Sequence, residues 1–175
     1  MKNTIFALCA LFMLTNCKSD SKENATDTNA QNTQNLKKEL VVKMGFKTNK
    51  SDEFKMVLYN IVPDEFQNKY IVIKERVILT SEMDNITVNF GDNISDNFRI
   101  NFGIEEPKEI EISSIQLIYG PNIVNINPED ISTHFTFNEY ISQDPSTLKL
   151  QTKKVGDKHN PIIYLKRKYL RELNK

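Results

Sequence analysis

From Glu39 onward the chain alternates apolar and polar residues with a period of two, the pattern of strands that bury one face and expose the other. Leu40, Val42, Met44 and Phe46 share one face of the first stretch, and Phe54, Met56 and Leu58 one face of the second. Ile86, Val88 and Phe90 alternate with Thr87 and Asn89, and Phe98, Ile100 and Phe102 with Arg99 and Asn101. Ile110 and Ile112 are followed by Ile115, Leu117 and Tyr119, a series that skips one place at Ser113-Ser114. That skip predicts a β-bulge, because one extra residue returns the apolar set to the core side. Phe135 with Phe137, Leu148 with Leu150, and Ile162 to Leu165 add short strands, while Tyr70 to Leu79 reads as one long bent strand or two short ones. The total is about nine strands.

Between the strands lie turn formers. Asn49 to Asp52, Gly91 to Asn97, Gly120-Pro121-Asn122, Asn127-Pro128 and Gly156 to Pro161 are rich in Gly, Pro, Asn, Asp and Ser, residues that accept turn dihedrals or bond their own backbone. Two helical pieces are expected: a single turn over Pro63 to Asn68, and a C-terminal stretch in which Leu165, Tyr169 and Leu173 share a face. Many short strands separated by turns predict an all-β fold of two packed antiparallel sheets, a jelly-roll or galactose-binding-like sandwich. An immunoglobulin-like sandwich is the alternative, without its Cys-Trp-Cys hallmark: the chain has no Trp, and its two cysteines are Cys9 and Cys17.

Those cysteines belong to a different kind of segment. Met1-Lys2-Asn3 is a short positive start, Thr4 to Met13 a mostly apolar run too short to span a bilayer as a helix. Leu14-Thr15-Asn16-Cys17 follows, then the polar Lys18-Ser19-Asp20. This resembles the signal peptide and lipobox of a bacterial lipoprotein, with Asn16 where the family most often has Gly, Ala or Ser. The resemblance implies removal of residues 1–16, acylation of Cys17, and attachment to the outer membrane on its periplasmic or cell-surface side. Two or three acyl chains anchor stably where a single one does not. Residues 17–38 then read as the lipidated cysteine and a disordered tether, since Leu36 is the only large apolar residue after Cys17 in that stretch. A flexible coil of this length reaches roughly 25 Å on average. Residues 39–175 form the β-sandwich domain, with no cysteine and hence no disulfide to staple it.

Charge adds little at this level. The chain carries 23 Lys and Arg against 23 Asp and Glu, so composition supplies no electrostatic reason to expect a nucleic acid or an anionic membrane as partner. Local patterns are more suggestive. Val88-Asn89-Phe90-Gly91 is echoed by Ile100-Asn101-Phe102-Gly103, either as two strands ending at one edge with Asn89, Arg99 and Asn101 in a polar patch, or as chance likeness between alternating strands. Phe98-Arg99-Ile100-Asn101-Phe102-Gly103, leading into the Ile-rich strand over 110–119, resembles a pattern in carbohydrate-binding-like sandwiches of bacterial envelope proteins, over residues 40–126. In that pattern an Asp is common where Asn101 stands here. The resemblance implies ligand binding by Arg99 and Asn101; the echo adds Asn89 as a candidate, and Tyr59, on the outward face of its strand, is the candidate aromatic contact. An Arg there could fork to a sugar hydroxyl or a carboxylate, although an outward Arg on a strand more often makes a surface ion pair. Tyr59, Tyr70, Tyr119, Tyr140 and Tyr164 could supply the aromatic platform that sugar C–H faces need, or close the edge of the core.

Catalytic patterns are absent from the sequence. His134, read as a strand residue, and His159, in a turn-rich stretch, match no metal or base motif, and the five glycines form no phosphate loop or nucleophile elbow. Asp64-Glu65, Glu105-Glu106 and Glu129-Asp130 are adjacent pairs that read as solvated charge. Asp92 and Asp96, with Asn93 and Asn97, offer oxygen ligands for calcium in one loop, without the EF-hand spacing; a plain turn is the competing reading. The expectation is a non-catalytic envelope or cell-surface binding module for a carbohydrate, with a structural or protein-binding subunit of an envelope assembly as the alternative and a hydrolase third.

Overall fold

The computed structural model describes residues 38–59 and 69–175. The expected signal peptide, Cys17, all of the tether but Lys38, and the turn over 63–68 lie outside the described residues.

Each stretch expected to be a strand contains one, and two more strands form besides. In chain order the strands are β1 (Leu40–Thr48), β2 (Asp52–Tyr59), β3 (Tyr70–Val77), β4 (Asp84–Asn89), β5 (Asn97–Asn101) and β6 (Glu109–Tyr119). They continue as β7 (Asn122–Ile126), β8 (Phe135–Phe137), β9 (Ile141–Gln143), β10 (Leu150–Thr152) and β11 (Ile162–Leu165). The first sheet has the order β4-β1-β6-β10-β9, with β7 also on β6; the second has the order β3-β2-β5-β11-β8. Every pairing in both sheets is antiparallel. The protein is an all-β, two-sheet antiparallel sandwich.

The core is the shared inner face. Phe46 of the first sheet meets Phe54 of the second at 5.4 Å between ring centroids, and Phe54 meets Phe102 edge-on at 5.2 Å. Both are favoured aromatic geometries. Phe90 and Phe98 repeat the edge-on contact at 6.0 Å. The expected bulge is present. Gly45 pairs with Ser114 but Phe46 pairs with Ile112, so Ser113 is the extra residue and both halves of β6 keep their apolar side on the core.

Three local expectations need correction. Leu148 is not in a strand; it has φ of 60° in the turn before β10. β7 and β9 form where no strand was expected. His134 ends a short helix, α1 (Ile131–His134), that follows a tight turn begun by Pro128, a residue suited to helix starts by its fixed φ and missing N–H. Its ring stacks on Tyr169 at 4.0 Å. The C-terminal helix is present as α2 (Arg167–Leu173); at seven residues it is too short to hold by itself. It stands because Tyr169, Leu170 and Leu173 are buried. Tyr70 to Leu79 resolves as one strand ending at Val77, with Ile78 and Leu79 left 68% and 58% exposed.

Candidate functional site

Residues paired across antiparallel strands point to the same side, so the registers define what each outer face carries. On the second sheet Tyr59 pairs with Tyr70 and Asn97, Val57 with Val72 and Arg99, and Lys55 with Lys74 and Asn101. Tyr164 lies beside Arg99 on the other flank, and Thr136 beyond it. The Arg99 guanidinium carbon sits 4.4 Å from the Tyr59 ring centroid, and the Tyr59 and Tyr70 rings are 5.8 Å apart and tilted by 39°. Tyr70 is 47% exposed. The Arg99 Nε is buried with no hydrogen-bond partner. An arginine held over an aromatic face is attracted to the ring and pre-oriented.

The four expected binding residues are therefore divided. Tyr59 and Arg99 meet. Asn101 lies on the same side two residues along β5 but is 8% exposed, and its Nδ2 donates to Asn160 Oδ1 at 2.6 Å. Asn89 is on the other sheet, where its Nδ2 donates to Glu39 Oε2 at 2.9 Å. The echo between the two segments has a local cause. Asn89 Oδ1 accepts from the Gly91 N–H at 2.7 Å, and Asn101 Oδ1 from the Gly103 N–H at 2.8 Å. Each is a side-chain-closed turn ending in a glycine with positive φ, +65° and +84°. The likeness marks one way of ending a strand, used once in each sheet, and does not gather the two asparagines into a patch.

A second polar group, unforeseen in the sequence, lies at one end of the sandwich. Asp52 and Lys108 form an ion pair with side chains 2% and 0% exposed. Asp52 Oδ1 also accepts from the Glu53 N–H at 2.7 Å and Oδ2 from the Glu105 N–H at 3.1 Å, while Lys108 Nζ donates to the Phe102 carbonyl at 3.0 Å. Gly103 is required beside them, because a Cβ there would lie 2.0 Å from Asp52 Cγ. Burial pushes the Asp52 carboxyl up, but the Lys108 hydrogen bond and charge and the two N–H groups outweigh it, leaving the group below its ordinary 3.8. His159 extends the group: Nε2 is 3.0 Å from Thr152 Oγ1, which accepts from the Lys108 N–H at 2.8 Å. Its Nδ1 is buried without a hydrogen-bond partner. Burial lowers the His159 pKa below 6.5; the nearby Ile104 backbone opposes this and the Lys108 charge adds to it. With both oxygens occupied, Asp52 is placed as a clamp between the two sheets. Nothing local in the sequence distinguishes Lys108, which follows Glu105-Glu106-Pro107 and reads as one more solvated charge.

The remaining candidates are engaged differently. Asp96 Oδ2 accepts from Arg171 Nη2 at 2.9 Å and lies 4.0 Å from Arg167 Nε, tying its loop to α2. Asp92 is exposed in the same loop. Among the described residues no three His, Cys, Asp or Glu side chains converge in a group that could hold a metal. Of the other tyrosines, Tyr119 is 8% exposed and belongs to the core. Among the described residues no helix is long and apolar enough to cross a membrane. Comparison with known proteins returns no matching family model, no matching curated protein and no matching solved structure.

Proposed function

We propose that the chain is a lipid-anchored, non-catalytic binding module of a bacterial envelope or cell surface, and that its ligand is a carbohydrate. The anchor is Cys17, for the reasons of sequence pattern given above, and the module stands off the outer membrane on its tether. One observation carries the ligand class: Tyr59 and Tyr164 flank Arg99 on one outer face, with Tyr70 against Tyr59. Rings supply an apolar surface for sugar C–H groups and the guanidinium supplies directional donors. A carbohydrate surface needs both at once.

The test is thermal melting of the purified protein in detergent against a panel of polysaccharides, with and without calcium. A ligand at 100 times its dissociation constant adds about 2.7 kcal/mol, a clear rise in midpoint. A flat panel refutes the carbohydrate reading. The anchor is tested separately by metabolic labelling with a radioactive fatty acid, which Cys17→Ala should abolish.

A second reading, a protein-binding subunit of an envelope assembly, is favoured by β3. Among the described residues it is an edge strand eight residues long, with Tyr70 and Val72 exposed. Such an edge can pair with a partner strand, although Lys74 and Arg76 on it disfavour self-pairing. Cross-linking from position 72 in intact cells would capture that partner.

A further inference from the structure

The chain as a whole is electrically balanced, but the outer face of the second sheet is not. Outward positions of the first sheet carry Lys43 and Lys47 on β1 and Glu109 and Glu111 on β6, with Lys47 paired directly to Glu111. Outward positions of the second carry Lys55, Lys74, Arg76 and Arg99 against a single carboxylate, Glu53. Glu53 is already shared between Lys55 and Lys74, at 3.4 Å from each. Arg76 faces Glu53 in register, whereas Arg99 makes no ion pair among the described residues. Arg99 is the more telling. Its guanidinium is held against the Tyr59 ring, flanked by Tyr164, and its Nε is buried without an acceptor. With Nε covered, the guanidinium can meet a ligand only through its terminal N–H groups, and such a planar fork fits a carboxylate better than any neutral group.

We infer that the ligand of this face is an acidic polysaccharide, with a uronate carboxylate on Arg99 and the sugar ring against Tyr59 and Tyr70. This rests on the carbohydrate reading and narrows it. A neutral glycan would use the rings and leave the cations unmatched. A simple polyanion would use the cations and leave the rings idle. An acidic sugar uses both.

The test is titration calorimetry of the purified protein in detergent with polygalacturonate oligomers and with the same oligomers methyl-esterified, which removes charge but keeps rings and hydroxyls. The acid form should bind at least tenfold more tightly than the ester, and raising the salt from 0.05 to 0.5 M should weaken the acid form alone. Arg99→Gln should lower affinity for the acid form about tenfold, bringing it near that of the ester. Arg99→Lys should recover only part, because the charge returns without the fork. Tyr59→Ala should weaken both forms, and Lys43→Gln, on the other sheet, neither; melting curves check that each variant is folded. Equal binding of acid and ester overturns the inference and leaves the carbohydrate reading standing. Failure of every glycan, here and in the panel, overturns both. Acid binding that survives both Arg99→Gln and Tyr59→Ala, and is matched by dextran sulfate, marks general charge attraction and also overturns it.

Discussion

Replacing Lys108 by Met keeps most of the side chain's volume and removes its charge, which isolates the buried ion pair. The lysine side chain is fully buried and its partner carboxylate is 2% exposed, so solvent cannot replace the lost cation. Asp52 would keep two backbone N–H donors, from Glu53 and Glu105, and the Phe102 carbonyl would lose the Nζ donor. Removing one partner of a buried pair costs about 3–5 kcal/mol, mostly because the other charge is stranded. For a domain of this size that is roughly 10–20 °C in melting temperature. The pH dependence gives a second signature. In the wild type the Asp52 pKa is lowered, so its stabilisation is complete above the unfolded value and is lost as pH falls through the folded one. Without Lys108 burial dominates and the folded pKa rises, so the variant loses stability as pH rises through that higher value. The two should differ most at neutral pH and converge below about pH 4. Asp52→Asn added to Lys108→Met should recover part of the loss, since no charge is then buried. Urea titrations at pH 7 and pH 3.5 measure all of this. A loss under about 1 kcal/mol, or one that does not change with pH, would show that the pair is solvated and refute the argument.

Gly103→Ala should destabilise by more than about 2 kcal/mol, read as a lower urea midpoint at unchanged slope, because φ is +84° and the new methyl would meet Asp52. His159 has a lowered pKa, so the neutral ring is favoured in the fold: stability is full above pH 6.5 and falls as pH drops toward the folded value. His159→Gln should flatten the stability profile in that window, and an unchanged slope would remove His159 as its source. Deleting Ser113 should leave the protein folded, with amide dispersion by NMR retained, because Ile110, Ile112, Ile115, Leu117 and Tyr119 then alternate without a skip against an unbroken β1 register; loss of dispersion would show that the bulge itself is required. Leu170→Ala should cost about 2–5 kcal/mol, since Leu170 is 1% exposed.

What the sequence determined by itself is the set of facts that depend on neighbours along the chain. Period-two alternation placed β1, β2, β4, β5 and β6, because a strand exposes alternate residues to alternate environments. The skip at Ser113 located the bulge for the same reason. The Asn-x-Gly echo was visible in the sequence, where it read as a polar patch or as chance; that each copy closes a turn on the Gly N–H was legible only in the structure. Short strands escaped notice: β9 has three residues, fewer than periodicity can register, and β7 runs between two strong turn signals. Tertiary structure alone decided the rest. It put Asn89 and Arg99 on different sheets, paired Asp52 with Lys108 across 56 positions, and buried His159. It also gathered four cations onto one face of a chain whose total charge is balanced. Composition sums over all residues and periodicity sees only near neighbours. Which strands lie side by side is set by the packing of the whole core, and that packing brought Tyr59, Tyr70, Arg99 and Tyr164 together.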